Sequence, residues 1–228
     1  LFFIFIFNKK KKSSNNKFFF QYGWCFGFGY FLFSLYWISI SLTFDQSFKF
    51  LIPVAIILLP AFLASFYGLI TYLFSNFYSK DVVSSFLIFS ILFGAIEYLR
   101  GSVLSGFPWN LISFSFSNNI YFIQILSILG TYSFNLICIS LFTVPALFIL
   151  RKSRKEILVC FFFIFLSISF LVFGKIKSDD FNSIKSIKNS YSIKAISPNI
   201  SIDRFYSKQD ELKIINELIK LSAPTKIN

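Results

Sequence analysis

The sequence predicts an α-helical polytopic membrane protein with about five full spans and a partial first one, followed by the start of an α/β or α+β extramembrane domain. The 228 residues are 56% hydrophobic and only 14% charged, with a mean hydropathy of +0.70. This composition is too apolar for a soluble domain of that length. Apolar residues form runs of about 20, the length that crosses about 30 Å of hydrocarbon. Lys and Arg are concentrated between these runs.

Five apolar runs are long enough to cross a bilayer, and the chain opens with what we interpret as the end of another. The five runs cover residues 18–44, 50–74, 82–99, 120–150 and 157–173. Residues 1–7 are apolar as well, and we expect them to be the tail of an earlier span. Because the chain contains no methionine and opens inside an apolar run, we also expect it to be a fragment cut at both ends.

The positions of Lys and Arg predict how the spans are oriented. Alternate loops lie on the same side, and one set of loops carries ten cationic residues: Lys9, Lys10, Lys11, Lys12, Lys17, Lys80, Arg151, Lys152, Arg154 and Lys155. The other set carries only Lys49 and Arg100. Because cytoplasmic loops hold the excess of Lys and Arg, residues 100–119 and everything after Gly174 are predicted to lie outside the cytoplasm. The net charge of +12 then needs no nucleic-acid partner.

The C-terminal part differs in composition from the transmembrane domain, which we assign to residues 1–174. Residues 175–190 are rich in Ser, Lys and Asn and are predicted to be a linker. Residues 191–228 read as the start of a second domain, with a short strand from Tyr191 to Ile196 broken at Pro198. A capping box at residues 207–210 then predicts a helix, with apolar positions at Leu212, Ile215, Leu218 and Ile219. The Ala-Pro pair at residues 223–224 ends that helix.

The cysteines do not suggest catalysis or metal binding. Cys25, Cys138 and Cys160 all lie in apolar runs without Cys-x-x-Cys spacing, and the chain has no histidine. The sequence therefore lacks the parts of a disulfide framework, an ordinary zinc site or a histidine-dependent triad. It also has no glycine-rich phosphate-binding loop, so no cofactor is predicted.

Two charged residues stand at the end of a run of fifteen uncharged residues, 82–96. Glu97 and Arg100 are spaced i, i+3, so they lie on one face of a helix and can pair. A carboxylate inside a membrane span is unfavourable by up to about 2.5–3.5 kcal/mol. Two interpretations remain open at this point. Glu97 either only neutralises an arginine at the membrane boundary, or both residues face a hydrated cavity that opens outside the membrane.

The segment that follows the pair favours a shaped loop over a plain connection. Gly101 and Gly106 allow backbone conformations that other residues resist, and Pro108 restricts Phe107 to extended geometry. Trp109 is a residue type that settles at the level of lipid headgroups. We therefore expect residues 100–119 to lie along the membrane surface, where a lipid substrate would be reached.

These residues resemble a known family, the bacterial apolipoprotein N-acyltransferases. The resemblance is most specific in Glu-x-Leu-Arg-Gly followed by Gly-Phe-Pro-Trp, which here are Glu97, Leu99, Arg100, Gly101, Gly106, Phe107, Pro108 and Trp109. Residues 22–29 with Trp37, and Gln124 with Gly130, are similar to two of the family's spans. Residues 193–200 resemble the first strand of its periplasmic nitrilase-like domain, typically Val-Gln-Gly-Asn-Ile. Here Ser197 and Pro198 replace Gln and Gly, whereas Asn199 is kept.

The resemblance implies a fold, an activity and a set of partners. The fold is a transmembrane domain followed by the truncated start of an αββα nitrilase-like domain, in the bacterial inner membrane with the C-terminal part in the periplasm. The activity is transfer of a fatty acyl group from a phospholipid to the α-amino group of the diacylglyceryl-cysteine of an apolipoprotein, through a thioester on a cysteine. A glutamate acts as base and a lysine holds the oxyanion, and all three catalytic residues are expected beyond Asn228. Neither Cys25 nor Lys220 matches a motif for these roles, so this fragment alone is expected to be inactive.

The residues that are present are expected to support the reaction. Glu97 and Arg100 would line the cavity that receives the phospholipid headgroup, and Gly106, Phe107, Pro108 and Trp109 would shape its lateral entrance. Arg204 and Phe205 match a Lys-Trp pair of the family near the entrance to the domain. Two other classes remain open: a non-enzymatic membrane protein such as a transporter component, and a structural relative that has lost the catalytic domain.

Overall fold

The computed structural model describes residues 1–12, 15–103, 106–183, 195–197 and 211–222, and within these ranges all regular structure is helical. Ten α-helices follow one another along the chain: α1 Phe2–Lys12, α2 Lys17–Leu35, α3 Ile38–Ser41, α4 Ile52–Phe77, α5 Val82–Ser102, α6 Ile120–Ile123, α7 Leu126–Leu129, α8 Thr131–Leu150, α9 Arg154–Ser183 and α10 Glu211–Ser222. Two 3₁₀ helices, Gln46–Leu51 and Ile112–Phe116, precede α4 and α6.

Four helices of the described part are long and apolar enough to cross a membrane, rather than the five full spans predicted. They are α4 with its preceding 3₁₀ turn, α5, α8 and α9. The helix that differs is α2, which ends at Leu35 although its apolar run continues to Phe44. Its 19 residues include one glutamine, one tryptophan, two tyrosines and three glycines, which lower its hydropathy.

The predicted span 120–150 is also divided. Gly130 has a φ of 72°, a left-handed conformation that ends α7 and starts α8. Only α8 remains as a membrane-crossing helix, because the break at Gly130 leaves residues 120–129 too short to cross. Residues 120–129 instead form two short helices, α6 and α7, and α6 packs on α9.

The last apolar helix is longer than predicted. α9 continues to Ser183, so the first nine residues assigned to the linker are helical. No glycine or proline follows Gly174 in this stretch, so nothing in the local sequence stops the helix. Four of the six residues of the predicted strand at 191–196 lie outside the described residues. The domain boundaries at 174 and 190 therefore stay predictions.

The core is built around close contacts between α2 and α4. A Cβ on Gly23 would lie 2.2 Å from the backbone oxygen of Tyr67, and one on Gly27 would lie 2.7 Å from the Cβ of Tyr67. The glycines, spaced four apart, thus let the two backbones approach, as small residues do in membrane helices. The Thr71 hydroxyl donates a hydrogen bond across the interface to the backbone oxygen of Phe19, at 2.6 Å.

Aromatic side chains fill most of the remaining core. Phe3, Phe74 and Phe89 from α1, α4 and α5 pack with ring centroids 5.1–6.0 Å apart. These edge-on and tilted geometries are the favourable ones for aromatic pairs. Helix α1 is thereby fixed among the later helices, which agrees with its prediction as part of a span. We call the membrane side that holds the Lys9–Lys12 run the proximal side and the opposite side the distal side.

Candidate functional site

Glu97 and Arg100 form a buried ion pair in the last turns of α5. Arg100 Nη2 donates to Glu97 Oε2 at 2.7 Å, and each residue is 1% exposed. The pairing predicted from the i, i+3 spacing is therefore present. Burial removes both charges from water, which is unfavourable unless the partners also satisfy each other's hydrogen-bonding groups. The pair is therefore enclosed by protein near the distal end of the helix.

Arg100 also holds the loop that follows it. Its Nη1 donates to the backbone oxygens of Phe107, at 2.7 Å, and Trp109, at 3.0 Å. The backbone N–H of Phe107 in turn donates to the backbone oxygen of Arg100, at 3.1 Å. One guanidinium group thus ties the Gly-Phe-Pro-Trp segment back to the end of α5. Its fork of N–H donors suits this arrangement, since a lysine would offer a single point charge.

Two residues in the left-handed backbone region turn the loop towards Arg100. Gly106 has a φ of 77°, and a Cβ there would lie 2.6 Å from the backbone oxygen of Gly101. Asn110 has a φ of 56°, which is uncommon for a residue other than glycine. Glycine at position 106 is therefore required by both conformation and space, and the predicted role of Gly106 in shaping the loop has a physical basis.

Side chains from α2 complete the enclosure, and no local sequence pattern indicated them. The Tyr30 hydroxyl donates to the backbone oxygen of Asn110 at 3.0 Å, so a second helix fastens the loop. The ring of Phe31 lies under the guanidinium carbon of Arg100, at 5.3 Å, within the range of a cation–π contact. Because α2 and α5 are distant in sequence, spacing alone could not have paired these residues.

Three buried polar atoms around the ion pair lie outside good hydrogen-bond geometry among the described residues: Glu97 Oε1, Arg100 Nε and Tyr67 Oη. The Tyr67 hydroxyl is nevertheless close enough to the Glu97 carboxylate to interact with it. Tyr67 and Tyr30 both interact electrostatically with Glu97, and both line an apolar cavity of about 350 Å³ among α1, α2, α4, α5 and α8. Tyr30 and Tyr67 thus connect the surroundings of the ion pair to this partly open apolar cavity.

The loop presents aromatic residues on the distal surface. Trp109 is 51% exposed and packs against Trp37, with ring centroids 5.2 Å apart. Pro108 and Trp109 line an open cavity of about 330 Å³ together with Leu111, Phe114, Thr131 and Tyr132. Its apolar lining and position beside α8 are suited to part of a lipid.

The second half of the distal segment is anchored by α8. Asn135 is fully buried, and its Oδ1 accepts a hydrogen bond from the backbone N–H of Ser113, at 2.9 Å. A lone asparagine in an apolar run did not stand out in the sequence, and its role depends on a loop 22 residues away. The loop is thus fastened by α2, α5 and α8 at separate points.

The cysteines and Lys220, which were considered from the sequence for catalytic roles, lie apart from this site. Cys138 and Cys160 are buried in the helix packing and Cys25 is exposed. Lys220 lies in α10. Arg204 and Phe205 lie outside the described residues, so their predicted correspondence stays a prediction.

Comparison with known proteins identifies the family of sequences to which this chain is similar. The sequence model described as the apolipoprotein N-acyltransferase N-terminal domain matches residues 1–144. The apolipoprotein N-acyltransferase of Rhizobium etli is 36% identical over 137 residues, which are 60% of this chain and 26% of that protein. The one from Brucella melitensis is 29% identical over 202 residues, 88% of this chain and 37% of that protein. The chain thus spans about a quarter to a third of these relatives. No solved structure matches it significantly.

Proposed function

The chain belongs to the apolipoprotein N-acyltransferase family, and from this premise we propose that its whole protein transfers a fatty acyl group from a phospholipid to an apolipoprotein. The acceptor is the N-terminal α-amino group of a diacylglyceryl-cysteine. The protein would sit in the bacterial inner membrane, with the distal side facing the periplasm. The observation that carries the proposal is that the Arg100-held loop falls within residues 1–144, the part that the family model matches.

The proposed chemistry has two acyl transfers. A base removes the proton of a cysteine thiol, and the thiolate attacks the ester carbonyl of the phospholipid. The C–O bond breaks, and the lysophospholipid oxygen takes the proton back from the base as it leaves. The α-amine of the acceptor then attacks the thioester, the C–S bond breaks, and a base takes the amine proton as the thiolate is restored. The cysteine, a base glutamate and an oxyanion-binding lysine would belong to a nitrilase-like domain beyond residue 228.

Within this scheme, we assign the described site a role in admitting lipid. The open cavity lined by Pro108 and Trp109 would receive part of the phospholipid near the headgroup level. Arg100 would act as a positioning residue, since it is enclosed and donates to the backbone carbonyls of the loop, and Glu97 would act through its pairing with Arg100. Gly106 and Phe107 would set the shape of the entrance.

A labelling experiment on the whole protein tests the activity. The purified protein is incubated with a phospholipid whose acyl chain carries a label, and the covalently bound label is measured after denaturing washes. We expect label that neutral hydroxylamine releases and that disappears when the nitrilase-domain cysteine is replaced, because hydroxylamine cleaves thioesters. Folded protein with that cysteine intact and no bound label would overturn the proposal.

The role of the ion pair is tested by Glu97→Gln in the same assay. If Glu97 positions the loop, the variant should form the acyl-enzyme several-fold more slowly at an unchanged expression level. Tyr98→Phe is the matched control, because Tyr98 neighbours Glu97 on α5 but is exposed. Full activity of Glu97→Gln would reduce the pair to a role in folding.

A further inference from the structure

The segment between α2 and α4, residues 36–51, exposes apolar side chains on the distal side. Tyr36, Trp37, Ile40, Phe44, Phe48 and Phe50 are all exposed, and Phe50 reaches 74%. An extramembrane loop surrounded by water would rarely expose so many large apolar residues in so short a stretch. The only charged residues in it are Asp45 and Lys49, which cancel in net charge.

Helix length places this segment at the edge of the hydrocarbon. The 26 residues of α4 span about 39 Å, which already exceeds the roughly 30 Å of a bilayer core. The 3₁₀ turn Gln46–Leu51 continues α4 directly at its distal end. Residues 36–51 are therefore not needed to cross the membrane. They lie next to the distal end of α4, where its membrane-crossing part ends.

Three hydroxyl groups and the cap of the 3₁₀ turn in this segment are satisfied internally. The hydroxyls of Ser39, Ser41 and Thr43 donate to the backbone oxygens three residues earlier, at 2.6, 2.6 and 2.7 Å. Asp45 caps the 3₁₀ turn by accepting from the backbone N–H of Ser47 at 2.8 Å. A segment whose hydroxyls already have partners loses little when it leaves water.

From these observations we propose that residues 36–51 lie flat in the distal leaflet, immersed at the boundary between lipid headgroups and acyl chains. The apolar surface is continuous with α4, which crosses the bilayer, so lipid is the partner that this surface already meets. Trp37 then joins the immersed segment to Trp109 of the loop. Because the segment carries no net charge, its immersion is driven by apolar burial and should not respond to ionic strength.

Fluorescence quenching in bilayers tests this placement. The protein without its three native tryptophans, each changed to phenylalanine, receives the single reporter Phe50→Trp. Phe165→Trp is the matched control, since Phe165 is exposed in α9 about 16 Å from the proximal end of that helix, at mid-bilayer depth. Each is reconstituted in phosphatidylcholine brominated either near the headgroup end or near the middle of the acyl chain, and aqueous iodide is the third quencher.

We expect the Phe50→Trp reporter to be quenched more by the shallow bromines and the Phe165→Trp reporter more by the deep ones. The shallow quenching should be the same at low and high salt. Strong iodide quenching without bromolipid quenching would mean that the segment stands in water. Protection from all three quenchers would mean that protein covers it, and stronger deep quenching would mean that it enters the core. Each of these three results overturns the proposal. A variant that keeps native Trp37 as its sole tryptophan measures the depth of the segment independently, and it should also be quenched more by the shallow bromines.

Discussion

Arg100 serves three acceptors with one guanidinium group: a carboxylate on its own helix and two backbone oxygens in the loop. Glu97, by contrast, accepts from Arg100 through one oxygen, and the Tyr67 hydroxyl lies close to its carboxylate. The two residues are therefore not equivalent, although they form one pair. Removing the arginine strands a buried carboxylate and removes the loop's hydrogen bonds to α5, whereas neutralising the glutamate keeps these donors but removes the charge that orients the guanidinium group.

We predict that Arg100→Gln destabilises the protein by about 3–5 kcal/mol, the range for breaking a buried pair, and that Glu97→Gln costs clearly less. The measurement is unfolding of the purified single and double variants in mild detergent. The double variant should be less destabilised than the sum of the single ones, with a coupling of about 0.5–3 kcal/mol. Additive effects would show that the pair does not act as a unit.

At the scale of elements, the contact between α2 and α4 depends on the absence of side chains at Gly23 and Gly27. We predict that Gly23→Ala destabilises the protein by about 1–3 kcal/mol, because its Cβ would meet the Tyr67 backbone, which cannot rotate away. Gly29→Ala, in the same helix, is the control, since nothing lies within 4 Å of its Cβ position. Thermal unfolding compares the two. Equal effects would contradict close packing at Gly23.

The start of α5 provides a prediction that depends on pH. Asp81 caps the helix by accepting hydrogen bonds from the backbone N–H and hydroxyl of Ser84, both at 2.8 Å. These bonds favour the carboxylate and lower the pKa of Asp81 below its usual value. Its stabilisation should thus be present above the pKa of the unfolded chain, about 3.9, and be lost as the pH falls through the lower folded-state pKa.

Two substitutions isolate this capping contribution. Asp81→Ala should cost about 1 kcal/mol at pH 7, the usual effect of losing a cap. Asp81→Asn caps without titrating, so it should retain most of the stability. Thermal unfolding of each variant and the parent is followed from pH 7 to pH 3. The gap between parent and Asp81→Ala should narrow towards pH 3, and a gap that widens on acidification would contradict the assignment.

The elements show which parts of the sequence could be interpreted in advance. Long apolar runs predicted α4, α5, α8 and α9, because burial in lipid dominates every local preference there. The division at Gly130 was missed, since hydropathy averages over a single left-handed residue. The i, i+3 rule found the Glu97–Arg100 pair, but its contacts with the loop depend on the φ values of Gly106 and Asn110. Tyr30 and Asn135 act on residues distant in sequence, which no local pattern reveals.

At the scale of the whole molecule, the distribution of Lys and Arg predicts the orientation in the membrane. A variant that lacks the native cysteines and carries Asn118→Cys should react with a membrane-impermeant maleimide in cells whose outer membrane has been permeabilised. The same variant with Lys11→Cys in place of Asn118→Cys should react only after the cells are lysed. This is because loops rich in Lys and Arg remain in the cytoplasm. The reverse result, labelling of Lys11→Cys before lysis and of Asn118→Cys only after it, would show that the topology is inverted. The loop would then lie on the wrong side for the proposed periplasmic reaction.

The clamp at Arg100 has an evolutionary consequence. Its guanidinium group binds the main chain at positions 107 and 109, and every residue type supplies the same carbonyl there. Mutations that change which side chains the loop offers can therefore accumulate without loosening its attachment. A surface of this kind can adjust to a new lipid environment by single substitutions, while the frame that carries it stays unaltered.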